Sequence, residues 1–232
     1  MDASRVARGL ALLFVDAAFR AGERLKTNSN DKEALHDMRV ALRQLRSTLS
    51  LYRQLLGPEW AKTAQARLRN VASTTNKARD GEVQLAWLKQ ESPRLSANPK
   101  SAAAMLEREI RNEVNQEYRV LRSGSIPELE ASLSSILKDL PGSAPAPGWE
   151  AYSFQKALGK LIREQTSRLR KSVRKAARSG AVQEWHAVRI KAKKLRYLIE
   201  PFAEAKGSLL KSINRLQKIQ ELLGELHDVH VL

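Results

Sequence analysis

Two short segments of this 232-residue chain repeat one order of basic residues that could bind an anion. The first reads HDMRVALRQLR at 36–46, and the second reads HAVRIKAKKLR at 186–196. Arginine offers a planar fork that can bind two phosphate oxygens, and lysine offers a compact positive charge. Histidine adds a donor whose charge depends on pH. These residue types therefore indicate the binding of phosphate groups.

On a helix, the basic residues of each segment share one face. At about 100° per residue, each set forms a stripe about 80° wide and about 15 Å long. Few carboxylates lie near these stripes, whereas a solvated helix typically alternates Glu with Lys, so the pattern favours a polyanionic ligand. The first stripe consists of His36, Arg39, Arg43 and Arg46. The second stripe consists of His186, Arg189, Lys193 and Arg196, and Tyr197 falls on the same face.

The opposite face of each helix is apolar, and this face is predicted to be buried. In the first segment it carries Met38, Leu42, Leu45, Leu49 and Tyr52. In the second segment it carries Val188, Ala192, Leu195, Ile199 and Phe202.

Composition places the chain among all-α proteins that bind polyanions. Leu, Ala and the other good helix formers dominate. The formal net charge of +16 attracts nucleic acid, acidic membranes, polyphosphate or acidic proteins. There is no cysteine, which excludes disulfides and thiolate metal sites. No run of about 18 apolar residues is present, so no spanning segment is predicted, and we expect a cytoplasmic location.

The apolar pattern and the breaker residues predict nine helices joined by short loops. Gly81, Gly124 and Pro127 are predicted breaks, and Asn30 or Asp31 is the predicted N-cap of the helix that carries the first stripe. In the first helix, the 3–4 spacing predicts a buried face made of Val6, Leu10, Leu13, Phe14 and Ala17. The helices are expected near 4–26, 32–56, 59–78, 82–91, 100–122, 128–139, 152–178, 182–204 and 209–230.

The pattern after the segment PGSAPAPG at 141–148 repeats the pattern before it. The stripes are 150 residues apart, and the helices before them align at an offset of 148, as do Arg79-Asp80 and His227-Asp228. We therefore expect an internal duplication: a first bundle over 1–140, a linker over 141–149 and a second bundle over 150–232. The second bundle is expected to be short at its C-terminal end.

At these residues the chain resembles the CHAD family, the conserved histidine α-helical domain. The segments that carry the resemblance are HDMRVALRQLRSTLSLY at 36–52, HAVRIKAKKLRYLIEPF at 186–202 and LQKIQELLGELHDVHVL at 216–232. The resemblance implies two pseudo-symmetric helical bundles around a basic central groove that binds long-chain inorganic polyphosphate, and targeting to polyphosphate granules. It also implies ligand-facing residues, namely those of both stripes together with Tyr197.

Two other functions are compatible with parts of the sequence. A nucleic-acid-binding module is compatible with the charge, but the stripes hold one aromatic residue between them and no recognition signature is present. A metal-dependent hydrolase would need His227, Asp228 and His230 as ligands, which is a weak set. The chain has no GxxxxGK[ST] phosphate loop and no evident nucleophile beside a base. We therefore expect binding without catalysis, and neither a metal site nor a cofactor.

Overall fold

The computed structural model consists of helices, and no strand occurs in the part of the chain it describes. It describes residues 2–28, 31–94, 97–203 and 207–231, without the side chains of 32, 97–100, 208 and 225–231. The prediction of an all-α fold is confirmed. The helices are α1 (Ala3–Thr27), α2 (Lys32–Leu51), α3 (Arg53–Leu56), α4 (Pro58–Thr74), α5 (Asn76–Glu91), α6 (Ala97–Val120), α7 (Ile126–Asp139), α8 (Phe154–Ser179), α9 (Val182–Ile199) and α10 (Gly207–Val231).

None of the described helices combines the length and the apolarity needed to cross a membrane.

The chain forms two compact units. Unit 1 comprises the described residues of Met1–Leu10, Ser47–Pro58 and Ala144–Leu232, and unit 2 comprises those of Ala11–Arg46 and Glu59–Ser143. The first stripe therefore belongs to unit 2, and the second stripe belongs to unit 1. The expected bundle boundaries at 140 and 150 stay predictions.

In unit 2, the start of α2 is fixed by a side-chain cap. Asp31 Oδ1 accepts hydrogen bonds from the backbone N–H groups of Ala34 (3.0 Å) and Glu33 (3.2 Å). Asp31 is thus the N-cap, as one of the two sequence alternatives had it. Arg24 of α1 donates to both Asp31 and Asp37, which ties the end of α1 to the first turns of α2.

The buried face of α1 is different from the one predicted. Leu13 is 58% exposed and Ala17 is exposed, whereas Val6, Leu10 and Phe14 are only half-buried. The buried face consists mainly of alanine at a spacing of three or four residues, which lets neighbouring helices approach closely. It carries Ala3, Ala7, Ala11, Val15, Ala18, Ala21 and Leu25.

The predicted break at Gly81 is also wrong. The chain breaks at Thr75, and Gly81 lies inside α5, where α5 packs against α6. A Cβ at position 81 would collide with Cγ2 of Val114. Glycine is therefore required at this position by the close approach of two helices. The predicted break at Gly124 is wrong as well, because Gly124 lies in a π-helical turn (Leu121–Ser125) that joins α6 to α7.

In unit 1, α9 packs between α8 and α10. The segment before α8 is held in place, because the N–H of Ala146 donates to the carbonyl of Gln54 (2.7 Å) and Trp149 is buried. Tyr52, at the junction of α2 and α3, donates its hydroxyl to the carbonyl of Leu198 in α9 (3.1 Å). This bond satisfies a hydroxyl that would otherwise be buried without a partner.

The close contact between Gly81 and Val114 predicts that a larger residue at position 81 destabilises the protein. Gly81→Ala should lower the free energy of unfolding by about 1–3 kcal/mol, because the added Cβ would collide with the β-branched Val114 side chain and this overpacking outweighs the gain in helix propensity. Gly9→Ala is the matched control, since Gly9 is also inside a helix but a Cβ added there would have no atom within 4 Å. The control should stabilise the protein by up to about 1 kcal/mol. Urea denaturation measures both, and a stabilised Gly81→Ala variant would contradict the packing.

Candidate anion-binding site

The first stripe is positioned by the burial of the opposite face of α2. The five residues predicted for that face are almost completely inaccessible, and this prediction is confirmed: Met38, Leu42, Leu45, Leu49 and Tyr52. Their burial fixes the rotation of α2 about its axis. The basic side chains consequently lie on the other face.

Three residues of the first stripe line one cavity of about 300 Å³ in unit 2, together with residues of α4, Thr75 and α5. Arg39, Arg43 and Arg46 are joined there by Arg69 of α4. The remaining polar residues that line it are Ser73, Thr75 and Asn76. Among the described lining residues there is no carboxylate, so the cavity concentrates four guanidinium groups beside neutral hydrogen-bonding groups.

Arg39 is held at this cavity by neutral partners. Its Nη1 donates to Oγ1 of Thr75 and to Oδ1 of Asn76, the latter at 3.2 Å. Burial lowers the pKa of Arg39 below its ordinary value, and the nearby charges of Arg79 and Arg43 lower it further. Asp80 and Glu82 act in the opposite direction with less effect than burial. The guanidinium stays protonated, so it carries a charge that an anion would stabilise.

Arg46 is in a similar state at the other end of the cavity. Its pKa is also lowered, first by burial and then by the charge of Arg69. A site that partly desolvates two arginines and sets further cations beside them is destabilising when empty. Bound phosphate would relieve the repulsion between the arginines, and its oxygens would replace the hydrogen bonds to water that burial removes.

His36 lies in a different cavity from the arginines of its stripe. This second cavity of unit 2 has a volume of about 870 Å³ and has a mixed lining that includes Asp31, Glu33 and Arg79. Glu82 also lines it and accepts hydrogen bonds from Arg79 (3.2 Å) and from the hydroxyl of Tyr118. Because acidic groups lie beside the cations, the positive electrostatic potential is weaker there than in the cavity of Arg39, Arg43, Arg46 and Arg69, which we call the arginine cavity.

The second stripe is less exposed and is described within unit 1. His186, Arg189, Lys193 and Arg196 are all half-buried. Arg189 Nε donates to the carbonyl of Gln220 in α10 (3.4 Å). A Cβ at Gly224 would lie 3.6 Å from Nη2 of Arg189, in ordinary contact, so α10 and the guanidinium lie side by side.

The last residues of the second stripe form a packed cluster. The guanidinium carbon of Arg196 lies 5.0 Å from the ring centroid of Tyr197, and its Nε lies 3.9 Å from Oε2 of Glu200. Tyr197 itself is only 7% exposed, and its hydroxyl has no hydrogen-bond partner among the described residues. The contact between Tyr197 and a ligand stays a prediction, and the structure shows that this side chain is buried. The opposite face of α9 is buried at Val188, Ala192, Leu195 and Ile199 as predicted, and Phe202 is half-buried against Phe154.

Sequence reasoning missed Arg69. The turn at Gly57-Pro58 predicted that α2 and α4 are consecutive, and consecutive helices joined by short turns are typically antiparallel neighbours. Arg69 follows the buried Leu68, so it lies at the flank of the face that α4 buries. The sequence thus places α4 next to α2, but which cation of α4 faces the first stripe depends on how the two helices pack.

No group of three His, Cys, Asp or Glu side chains that could hold a metal ion occurs among the described residues. The set considered from sequence, His227, Asp228 and His230, lies outside the described side chains.

Comparison with known proteins gives a consistent result. The family model for the CHAD domain matches residues 12–232. The crystal structure of the CHAD domain from the plant Ricinus communis superposes with a TM-score of 0.71 at 23% identity, covering 100% of this chain and 78% of that one. PptA from Streptomyces chartreusis superposes with a TM-score of 0.70 at 17% identity, covering 98% and 83%. No curated protein sequence matches. Since the family model spans nearly the whole chain, this protein belongs to the CHAD domain family.

Proposed function

We propose that this protein binds inorganic polyphosphate through its two basic stripes and does not transform it. The observation that carries the proposal is the cavity in which Arg39, Arg43, Arg46 and Arg69 meet without a carboxylate among the described lining residues. One guanidinium group can donate hydrogen bonds to two oxygens of a phosphate group, and such charge-assisted bonds are about twice as strong as neutral ones. Membership of the CHAD family supports the choice of ligand.

The lining of the cavity favours a polymer of phosphates over a nucleic acid. Apart from the arginines it offers hydroxyl groups, one amide and aliphatic carbon, and no aromatic ring among the described residues. Proteins that bind single-stranded nucleic acid stack bases on aromatic side chains, and the amide oxygen of Asn76 already accepts a hydrogen bond from Arg39. Binding of nucleic acid as a generic polyanion is the alternative that the net charge of +16 supports.

Binding without catalysis is supported by the same residues. Arginine, hydroxyl and amide groups can hold phosphate, but a nucleophile needs a base within hydrogen-bond reach. His36 and Glu82, which could act as bases, do not line the cavity of Arg39 but the larger cavity of about 870 Å³. A cytoplasmic protein of this kind would associate with polyphosphate granules, which is the location we propose.

Reversing one charge in each stripe should abolish binding. The Arg39→Glu/Arg189→Glu variant is expected to bind long-chain polyphosphate at least about 100-fold more weakly, because each substitution removes a charge-assisted bond and adds a repulsion. Isothermal titration calorimetry measures the affinity, and circular dichroism checks helicity. The control is Arg53→Glu/Arg108→Glu, which makes the same charge change at two exposed positions. If the stripe variant binds like this control, the stripes are not the binding site.

Arg69 should contribute to binding although it lies outside the repeated segments. Arg69→Gln is expected to weaken polyphosphate binding about tenfold, the loss of one charge-assisted bond. Arg67→Gln is the matched control in the same helix, since Arg67 donates to Ser135 Oγ (2.6 Å) and does not line the cavity. Equal affinities of the two variants would show that the cavity does not hold the ligand.

A further inference from the structure

The C-terminal half of α8 carries a second basic surface, which the repeated stripes do not include. Four exposed cations follow each other at helical spacing over two turns: Lys171, Arg174, Lys175 and Arg178. We call this set the α8 ridge. Together with Ser179, these residues line a shallow surface depression of about 380 Å³. The ridge spans about 10 Å, close to the Debye length at 0.1 M salt, so a polyanion would experience the four charges together.

The charges of the ridge are poorly neutralised. Lys175 Nζ pairs with Oε1 of Glu184 at 2.5 Å. In the described part of the chain, Lys171, Arg174 and Arg178 have no ion pair. The helix dipole stabilises cations only within about the last turn, so it accounts for Arg178 but not for Lys171 or Arg174.

In the corresponding part of α1, a cation is neutralised by carboxylates. At the offset of 148 between the two halves, Lys171 corresponds to Glu23 and Arg174 corresponds to Lys26. Lys26 pairs there with Glu23 (3.1 Å) and with Glu130. The ridge is therefore particular to α8, because Lys171 stands where α1 has Glu23, one of the two acids that pair with Lys26.

Two contacts show that the ridge and the second stripe lie on separate surfaces of unit 1. Lys175 reaches Glu184 of α9, and Lys191 of α9 donates to Ser172 of α8 (3.1 Å). Glu184 and Lys191 lie about 170° around α9 from the centre of the second stripe, at about 100° per residue. Since α8 packs on that opposite side of α9, a phosphate chain that follows the second stripe would not also follow the ridge.

We propose that the α8 ridge docks a second strand of inorganic polyphosphate, so that one protein molecule links two strands. This inference rests on the proposed function of the stripes. The ridge offers cations and one hydroxyl, with none of the aromatic or amide groups that recognise bases, so its chemistry suits a polymer made of phosphate alone. Two sites on one molecule make cross-linking of long chains possible.

The test compares two variants that each remove three charges. The ridge variant is Lys171→Gln/Arg174→Gln/Arg178→Gln, which keeps Lys175 because it pairs with Glu184. The control is Lys62→Gln/Arg108→Gln/Lys138→Gln, at exposed positions that line none of the described cavities. Light scattering with long-chain polyphosphate at about 0.15 M salt reports cross-linking. Calorimetry with short chains reports the stripes, and both variants should bind short chains within about threefold of wild type.

We expect wild type and control to scatter strongly, and the ridge variant to scatter no more than protein and polymer measured separately. Unchanged scattering by the ridge variant overturns the second docking surface and leaves the stripes in place. If the ridge variant instead loses binding to double-stranded DNA and keeps the scattering with polyphosphate, the ridge docks nucleic acid and our choice of occupant is wrong. No binding of polyphosphate by the wild type overturns both proposals.

Discussion

The arrangement of the arginine cavity depends on the burial of one face of α2. Met38, Leu42, Leu45 and Leu49 are essentially inaccessible, and each such side chain contributes about 1.5–3 kcal/mol to stability. A close pair of like charges costs about 1–4 kcal/mol, depending on how well solvent screens it. Apolar burial is therefore large enough to hold Arg39, Arg43 and Arg46 on one face in spite of their repulsion. The buried face thus keeps these three guanidinium groups together on the opposite face of α2.

The arginines of unit 2 lie in two different electrostatic environments. Arg24 is surrounded by Asp31 and Asp37, which raise its pKa above the ordinary value, and it joins α1 to α2. Burial and neighbouring cations lower the pKa of Arg39 and Arg46. The first arrangement stabilises the folded chain by itself, whereas the second would be stabilised by a bound anion. This contrast distinguishes the candidate site from ordinary surface charge more clearly than net charge does.

The sequence was sufficient for the features that depend on a single helix. Periodicity predicted the buried faces of α2 and α9 and the stripes opposite them, and breaker residues predicted most helix ends. The sequence was not sufficient for features that depend on how one helix packs against another. Leu13 looked more apolar than the alanines of α1, but close packing favours the small residues. Gly81 looked like a break, although its role is to admit Val114. Arg69 and the separation of His36 from the arginines depend on tertiary contacts, which a helical wheel does not contain.

The most direct test of the central claim is a competition titration at about 0.15 M salt. Long-chain polyphosphate, short-chain polyphosphate, double-stranded DNA and RNA compete for the protein at equal concentrations of phosphate, with calorimetry as the readout. If the arginine cavity is a dedicated phosphate-polymer site, long-chain polyphosphate should displace the nucleic acids by orders of magnitude. If DNA or RNA competes equally per charge, the stripes are a generic polyanion surface and the account of the ligand is wrong.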